Sequence, residues 1–255
     1  MSTGTFVIKI GGSTLGSTDT TYADIAALAA AGDVPVVVHG GGAEASRWLE
    51  AMQIPSRFER GLRVTDDRVL PVVVAVFAGL VNKRIVAAID AAGARAVGLS
   101  GADARLLECR LADPALGFVG EPVRVNSAPL EALLAAGIVP VIGPIGCVPG
   151  EPADQLVNVN ADVVAGNIAA ALGARRLVYL TDVDGVRDAA GQRIPVLDAA
   201  RARALIADGT ISGGMIPKVE SCLHAVSLGV EAQIVDGRQP GALRALDGAG
   251  TLVTP

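Results

Sequence analysis

One short segment limits the possible folds of this chain more than any other. Val34-Pro35-Val36-Val37-Val38 is apolar without alternation, so a strand there must be covered on both faces. It runs directly into His39-Gly40-Gly41-Gly42 and then into a helical pattern over residues 43–52. The same order recurs. A strand over residues 5–10 meets Gly11-Gly12-Ser13, and further strands are predicted over 95–99, 138–142, 175–180 and 231–235. Helices are predicted over 19–31, within 66–92, and over 129–136, 160–172, 198–207 and 218–228. A short strand pair is expected in 57–64, a hairpin in 105–126 around Asp113-Pro114, and a loop over 143–150. Strands alternating with helices predict an α/β fold, a three-layer αβα sandwich with a mainly parallel central sheet. Ligands of such sheets bind beyond the carboxyl ends of the strands, where these glycine loops lie. A division near Gly173 separates an expected N-terminal lobe, residues 1–173, from a C-terminal lobe, residues 174–255.

Composition removes several function classes. A net charge of −5 argues against nucleic acid, and 51% hydrophobic against 18% charged residues argues against disorder. The three cysteines, Cys109, Cys147 and Cys222, are far apart and form no C-x-x-C pair, while His39 and His224 stand singly, so neither a zinc site nor a disulfide framework is expected. Nothing in residues 1–9 resembles an export signal, which points to the cytoplasm. Residues 69–81 are apolar but too few to span a bilayer, and the uncharged stretch 132–150 is cut by Pro140, Pro144 and Pro149, so no membrane helix is expected.

The basic residues are nearly all arginine; Lys9, Lys83 and Lys218 are the only lysines. Where a chain favours arginine so strongly, a remaining lysine marks a place for a compact ammonium. Lys9 ends a strand two residues before Gly11-Gly12, and glycines let backbone amides approach an anion. Gly11 and Gly16 have the spacing of G-x-x-x-x-G-K-[ST], but Ser17 and Thr18 follow with no lysine, so this is no P-loop, and a tight turn with a solvated lysine is the competing reading. Gly40-Gly41-Gly42 opens a helix whose first amides suit a phosphate. It fits a dinucleotide fingerprint only loosely, with Glu59 a poor ribose acid, and His39 reads as a buried imidazole rather than a base. Arg63, in Gly-Leu-Arg-Val-Thr-Asp, is either a fork for a carboxylate or an ordinary surface arginine. Asn158, Asn160 and Asp162 precede an apolar helix; one cap needs one side chain, and the surplus suggests that Asn158 faces a ligand and Asp162 orients cations. Lys218 at a helix start opposes the helix dipole and so requires an anionic partner.

Taken in order, Lys-x-Gly-Gly, His-Gly-Gly-Gly, Gly-Leu-Arg-Val-Thr-Asp, Asn-Val-Asn-Ala-Asp, Thr-Asp-Val-x-Gly and Gly-Gly-Met-Ile-Pro-Lys resemble the amino acid kinase family over nearly the whole chain. The resemblance implies ATP-dependent phosphorylation of the side-chain carboxylate of N-acetyl-L-glutamate, an arginine-biosynthetic step, with Mg²⁺ on the ATP phosphates and no protein metal site. It implies that Lys9 and Lys218 contact the transferred phosphoryl group, that Gly11, Gly12 and Gly41 offer it amides, with Gly42 in the same loop, and that Asp162 holds the lysines. Arg63 and Asn158 would bind the amino-acid substrate, with Asn160 near, and Thr181, Asp182, Val183, Gly185, Gly214 and Met215 would surround the nucleotide. A homodimer through the long helix is implied, with Pro71 kinking that helix or delaying its start. The strand predicted from residue 5 leaves no room for the N-terminal helix of arginine-inhibited members, so arginine feedback is not expected. Two alternatives are a kinase for carrier-protein-linked glutamate or aminoadipate and a non-catalytic small-molecule-binding protein on the same fold.

Overall fold

The computed structural model describes residues 4–11, 20–150 and 153–255. Strand β1 (Thr5–Ile10) is followed by α1 (Thr21–Ala30), β2 (Val34–His39) and α2 (Gly42–Ala51). A small hairpin, β3 (Phe58–Glu59) and β4 (Leu62–Arg63), precedes one continuous helix, Val69–Ala91. Its ends are α-helical, α3 (Val69–Val74) and α4 (Asn82–Ala91), and the middle, Ala75–Val81, is π-helical. Next come β5 (Ala96–Ser100), the hairpin β6 (Leu107–Leu111) and β7 (Gly120–Val125), α5 (Ala128–Ala135) and β8 (Val139–Gly143). Strands β9 (Ile145–Val148) and β10 (Gln155–Asn158) lead to α6 (Ala161–Ala171) and β11 (Arg176–Thr181). The C-terminal elements are β12 (Val196–Asp198), α7 (Ala199–Ala207), α8 (Met215–Ser227), β13 (Glu231–Asp236) and β14 (Thr251–Thr254).

Eight strands form the main sheet in the order β12-β14-β13-β11-β1-β2-β8-β5, and only the β13–β14 pairing is antiparallel. Alternate residues of β1 separate the two cores. Val7, with Leu177 and Tyr179, packs under Val164 and Ile168 of α6 and Val219 of α8. Ile8 and Ile10, with Val178, pack under Ile25 of α1 and Ile85 and Ile89 of α4. Both faces are therefore covered, as the apolar strands require. The sheet is continuous across Gly173, since β1 pairs with β11 in parallel.

Several expectations are corrected. Residues 143–150 are not a simple loop, because Pro144 and Pro149 flank β9 rather than interrupt it. That strand joins a second sheet of order β10-β9-β6-β7. Strands β12 and β14 have three and four residues, too few to give a pattern. Helix α8 starts at Met215, three residues before the predicted start at Lys218. The apolar run from Val69 continues through the π-helical segment to a length of 23 residues with mean hydropathy 2.0, so by length and composition it is able to cross a membrane. In this fold Val69, Val73, Val76 and Ile85 pack into the interior. Pro71 lies within the first turn of the helix rather than before it. It is the third residue of α3, where no helical acceptor is needed, and the Asp66 carboxylate accepts from the amides of Arg68 and Val69 at 2.9 Å.

Candidate active site

The carboxyl ends of β1, β2 and β11 lie side by side, with Ile10 opposite His39 and Leu180. Lys9 shares its face of β1 with Val7, the face covered by α6. Its ammonium therefore points at the first turn of that helix and meets Asp162 Oδ1 at 2.7 Å. Lys218 reaches Asp162 Oδ2 at 3.2 Å from the first turn of α8, and also donates to the Gly214 carbonyl at 3.2 Å. Two residues 209 positions apart thus meet on the two oxygens of one carboxylate. Lys9 and Asp162 are buried, while Lys218 stays half-open. Burial pushes the Asp162 carboxyl up, but the two ammonium groups outweigh it and hold the group below its ordinary value. Asn160 caps α6, its side-chain oxygen accepting from the amides of Asp162 and Val163.

The backbone of Asp162 is fixed as firmly as its side chain. Ser221, one turn beyond Lys218 on α8, donates to the Asp162 carbonyl at 2.7 Å and accepts from Tyr179 at 2.5 Å. Tyr179 lies on β11 opposite Lys9 in the β1–β11 register, so one hydroxyl chain links the strand beside Lys9 to the helices carrying Asp162 and Lys218. Neither hydroxyl belongs to a motif in the sequence; only the spacing of Ser221 from Lys218 on one helix hints at it.

Lys9, Gly41, Gly42, Arg63, Asn158, Asn160 and Asp162 line one cleft of about 200 Å³. Arg63 is 6% exposed. Its guanidinium stacks on Phe58 at 4.6 Å and donates to the Gly42 carbonyl at 2.9 Å, to Ser46 at 2.8 Å and to Ser56. Among the described residues, all four of its partners are neutral. A buried cation held only by neutral groups is electrostatically unsatisfied, and an anion in the cleft would satisfy it. Asn158 donates to Thr65 at 3.0 Å and so ties β10 to the Arg63 segment. Phe58, Ser46 and Ser56 belong to no recognisable motif, and Thr65, although it lies in Gly-Leu-Arg-Val-Thr-Asp, gives no sign in the sequence of its contact with Asn158.

The Gly11 amide continues the ladder onto the Leu180 carbonyl at 3.4 Å, and Gly12 lies outside the described residues. The remaining predicted residues sit apart from the cleft. Thr181 is buried at the end of β11 and donates to the Val183 carbonyl at 2.8 Å, while Asp182 and Val183 are exposed. Gly185 packs on Thr251, whose hydroxyl accepts from the Val186 amide at 2.8 Å and so anchors this loop to β14. Gly214 and Met215 begin α8, beside the Lys218 ammonium. The cysteines are buried and free, with burial pushing Cys109 up to about 12, so they are inert packing groups.

The amino acid kinase family profile matches residues 4–236, and the chain belongs to that family. Its curated relatives narrow the likeness. The chain is 47% identical over 270 residues to the acetylglutamate kinase of Granulibacter bethesdensis, covering 98% of this chain and 90% of the relative. It is 46% identical over 275 residues to the acetylglutamate kinase of Novosphingobium aromaticivorans, again covering 98% and 90%. Among solved structures, the smu.665 protein of Streptococcus mutans UA159 superimposes with a TM-score of 0.86 at 29% identity, covering 98% of each chain.

Proposed function

We propose that this chain is a kinase transferring the γ-phosphoryl group of ATP to the side-chain carboxylate of N-acetyl-L-glutamate, a step of arginine biosynthesis. The observation that carries the reading is one cleft lined both by Lys9 and Asp162, whose carboxylate also holds Lys218, and by the buried Arg63, whose partners among the described residues are neutral. A dicarboxylate fits between them, with one carboxylate on Arg63 and Asn158 and the other directed at the lysines. A carboxylate oxygen forms a bond to the γ-phosphorus while the bond from that phosphorus to the β–γ bridging oxygen breaks, giving an acyl phosphate and ADP. The transferred group carries charge on its equatorial oxygens, so fixed positive charge is the main need. Lys9 and Lys218 supply it, Asp162 keeps the two ammonium groups from separating, and the Gly41–Gly42 start of α2 adds amide dipoles. In this reading Gly11 and Gly12 extend that cradle, and Asn160 borders the amino-acid substrate. The nucleotide lies over Thr181, Asp182, Val183, Gly185, Gly214 and Met215, so residues 174–255 act as the nucleotide lobe and 1–173 as the substrate lobe.

Mg²⁺ would screen the ATP phosphates. Asp162 is committed to two ammonium groups, and no group of three His, Cys, Asp or Glu gathers among the described residues; this donor chemistry suits an ion carried by the nucleotide. The half-buried apolar side of the Val69–Ala91 helix supports a homodimer, measurable by analytical ultracentrifugation; the cytoplasm is the compartment proposed for this biosynthetic step. ADP release tests the activity with N-acetyl-L-glutamate, free glutamate and a carrier-linked glutamate. ADP formed with the first is the expected outcome; ADP formed only with the carrier-linked acceptor overturns it.

A further inference from the structure

The π-helical segment Ala75–Val81 bears no charge, yet both its interior and its end reach the loop at Gly40–Gly42. A Cβ on Gly41 would lie 2.8 Å from a ring carbon of Phe77. Asn82, the residue after the segment, is 0% exposed although polar. A π-turn inserts a residue and so rotates whatever follows it around the helix axis. Here that rotation lays the Asn82 side chain across three neighbouring strands. Its Nδ2 lies 2.9 Å from the Val141 carbonyl of β8, 3.2 Å from the Leu99 carbonyl of β5 and 3.1 Å from His39 Nε2 at the end of β2. Gly98 makes room for it, since a Cβ there would fall 1.8 Å from Asn82 Oδ1. That oxygen accepts from Lys83 Nζ at 3.1 Å, and Lys83 also donates to the Gly98 carbonyl at 3.0 Å.

These contacts determine a tautomer. Carbonyl oxygens only accept, so the amide end facing Val141 and Leu99 is the NH₂, and its two hydrogens are shared among these carbonyls and His39 Nε2, toward which this nitrogen has no lone pair to offer. Nε2 is then unprotonated, and the ring proton sits on Nδ1, which donates to the Gly40 carbonyl at 2.7 Å. His39 is 1% exposed. Burial lowers its value to about 4; the bond to Gly40 opposes this, and Lys9 of β1 and Lys83 of α4 add to it, so the ring is neutral near pH 7.

We propose that Asn82 is a positioning residue for phosphoryl transfer: through the Nδ1–H form of His39 it fixes the Gly40 carbonyl, and so sets the direction in which Gly41 and Gly42 present the start of α2. Phe77 closes the same loop from behind. The role rests on the kinase reading above, but its chemical basis does not. With two histidines in the chain, ¹H–¹⁵N NMR of the ring nitrogens resolves His39 from the exposed His224. The wild-type protein should show His39 protonated on Nδ1 alone from pH 6 to 9. Asn82→Asp has the same shape but turns only acceptors toward Nε2. It should move His39 to the Nε2–H or imidazolium pattern and lower kcat about tenfold or more, with both KM values within about threefold. An Nε2–H tautomer in the wild type overturns the proposal without any variant. So does an Asn82→Asp enzyme with unchanged kcat, or one in which only KM moves. A wild-type enzyme inactive on every acceptor would instead defeat the kinase reading, a result separable from the His39 spectrum.

Discussion

Two glycine loops open helices beside the same carboxylate, and they use glycine for different reasons. At Gly41 the backbone φ of 170° lies outside the left-handed region, but the Phe77 ring occupies the space that a side chain would need. A Cβ added at Gly213 or Gly214 would meet nothing within 4 Å, and only Gly213 has a backbone, φ +56°, that disfavours a side chain. The first loop is held from behind by packing and by His39; the second is open, and its chemistry rests with Lys218. A run of glycines before a helix therefore does not by itself say what the glycines do.

Substitutions can break this contrast. Gly41→Ala should have the largest effect, since overpacking a fixed ring costs about 1–3 kcal/mol and displaces the α2 start. Turnover should fall about a hundredfold, a loss that misplacement of about 1 Å is able to produce. Steady-state kinetics at saturating ATP measure it. Arg63→Ala, in the same cleft, should raise the KM for N-acetyl-L-glutamate about 10- to 100-fold, as for loss of a hydrogen bond to a charged group. The nucleotide Kd, read by calorimetry, should stay within about twofold.

The buried support of the first loop should also show in stability against pH. The unfolded chain binds a proton at His39 near its ordinary 6.5 and the folded chain only near 4, so this contribution is complete above pH 6.5. It falls as the pH drops from there toward 4, by about 3 kcal/mol in all. Asp162 loses its contribution in the same direction but lower, below its ordinary carboxylate range, because Lys9 and Lys218 outweigh burial there. Chemical denaturation at pH 6.5 and 5 should show a steeper loss in the wild type than in His39→Gln. Gly214→Ala should have the smallest effect on kcat and Tm, since a Cβ there meets no protein atom within 4 Å, and any loss should fall on the KM for ATP; a loss of kcat matching that of Gly41→Ala would erase the contrast between the loops.

Most of the main sheet was legible because burial on both faces removes polar residues from its strands, as at Val36–Val38. Lys9 and Lys218 were legible for other reasons: they are two of only three lysines, Lys9 lies just before a glycine pair, and Lys218 sits at a helix start where the dipole opposes it. What stayed hidden depends on contacts between distant segments. Thr65 on Asn158, Ser221 on the Asp162 carbonyl and Phe58 under Arg63 are ordinary residues until the fold brings them together. The π-helical segment was hidden too, since seven apolar residues read equally well as α-helix.

The most direct measurement is ³¹P NMR of the enzyme with MgATP and N-acetyl-L-glutamate, run beside Lys218→Arg. The wild type should convert the γ-phosphate signal into an acyl phosphate resonance. The variant keeps the charge but not the compact ammonium, and should bind ATP while transferring about a hundredfold more slowly. Undiminished transfer in Lys218→Arg would contradict a centre built on two ammonium groups sharing one carboxylate.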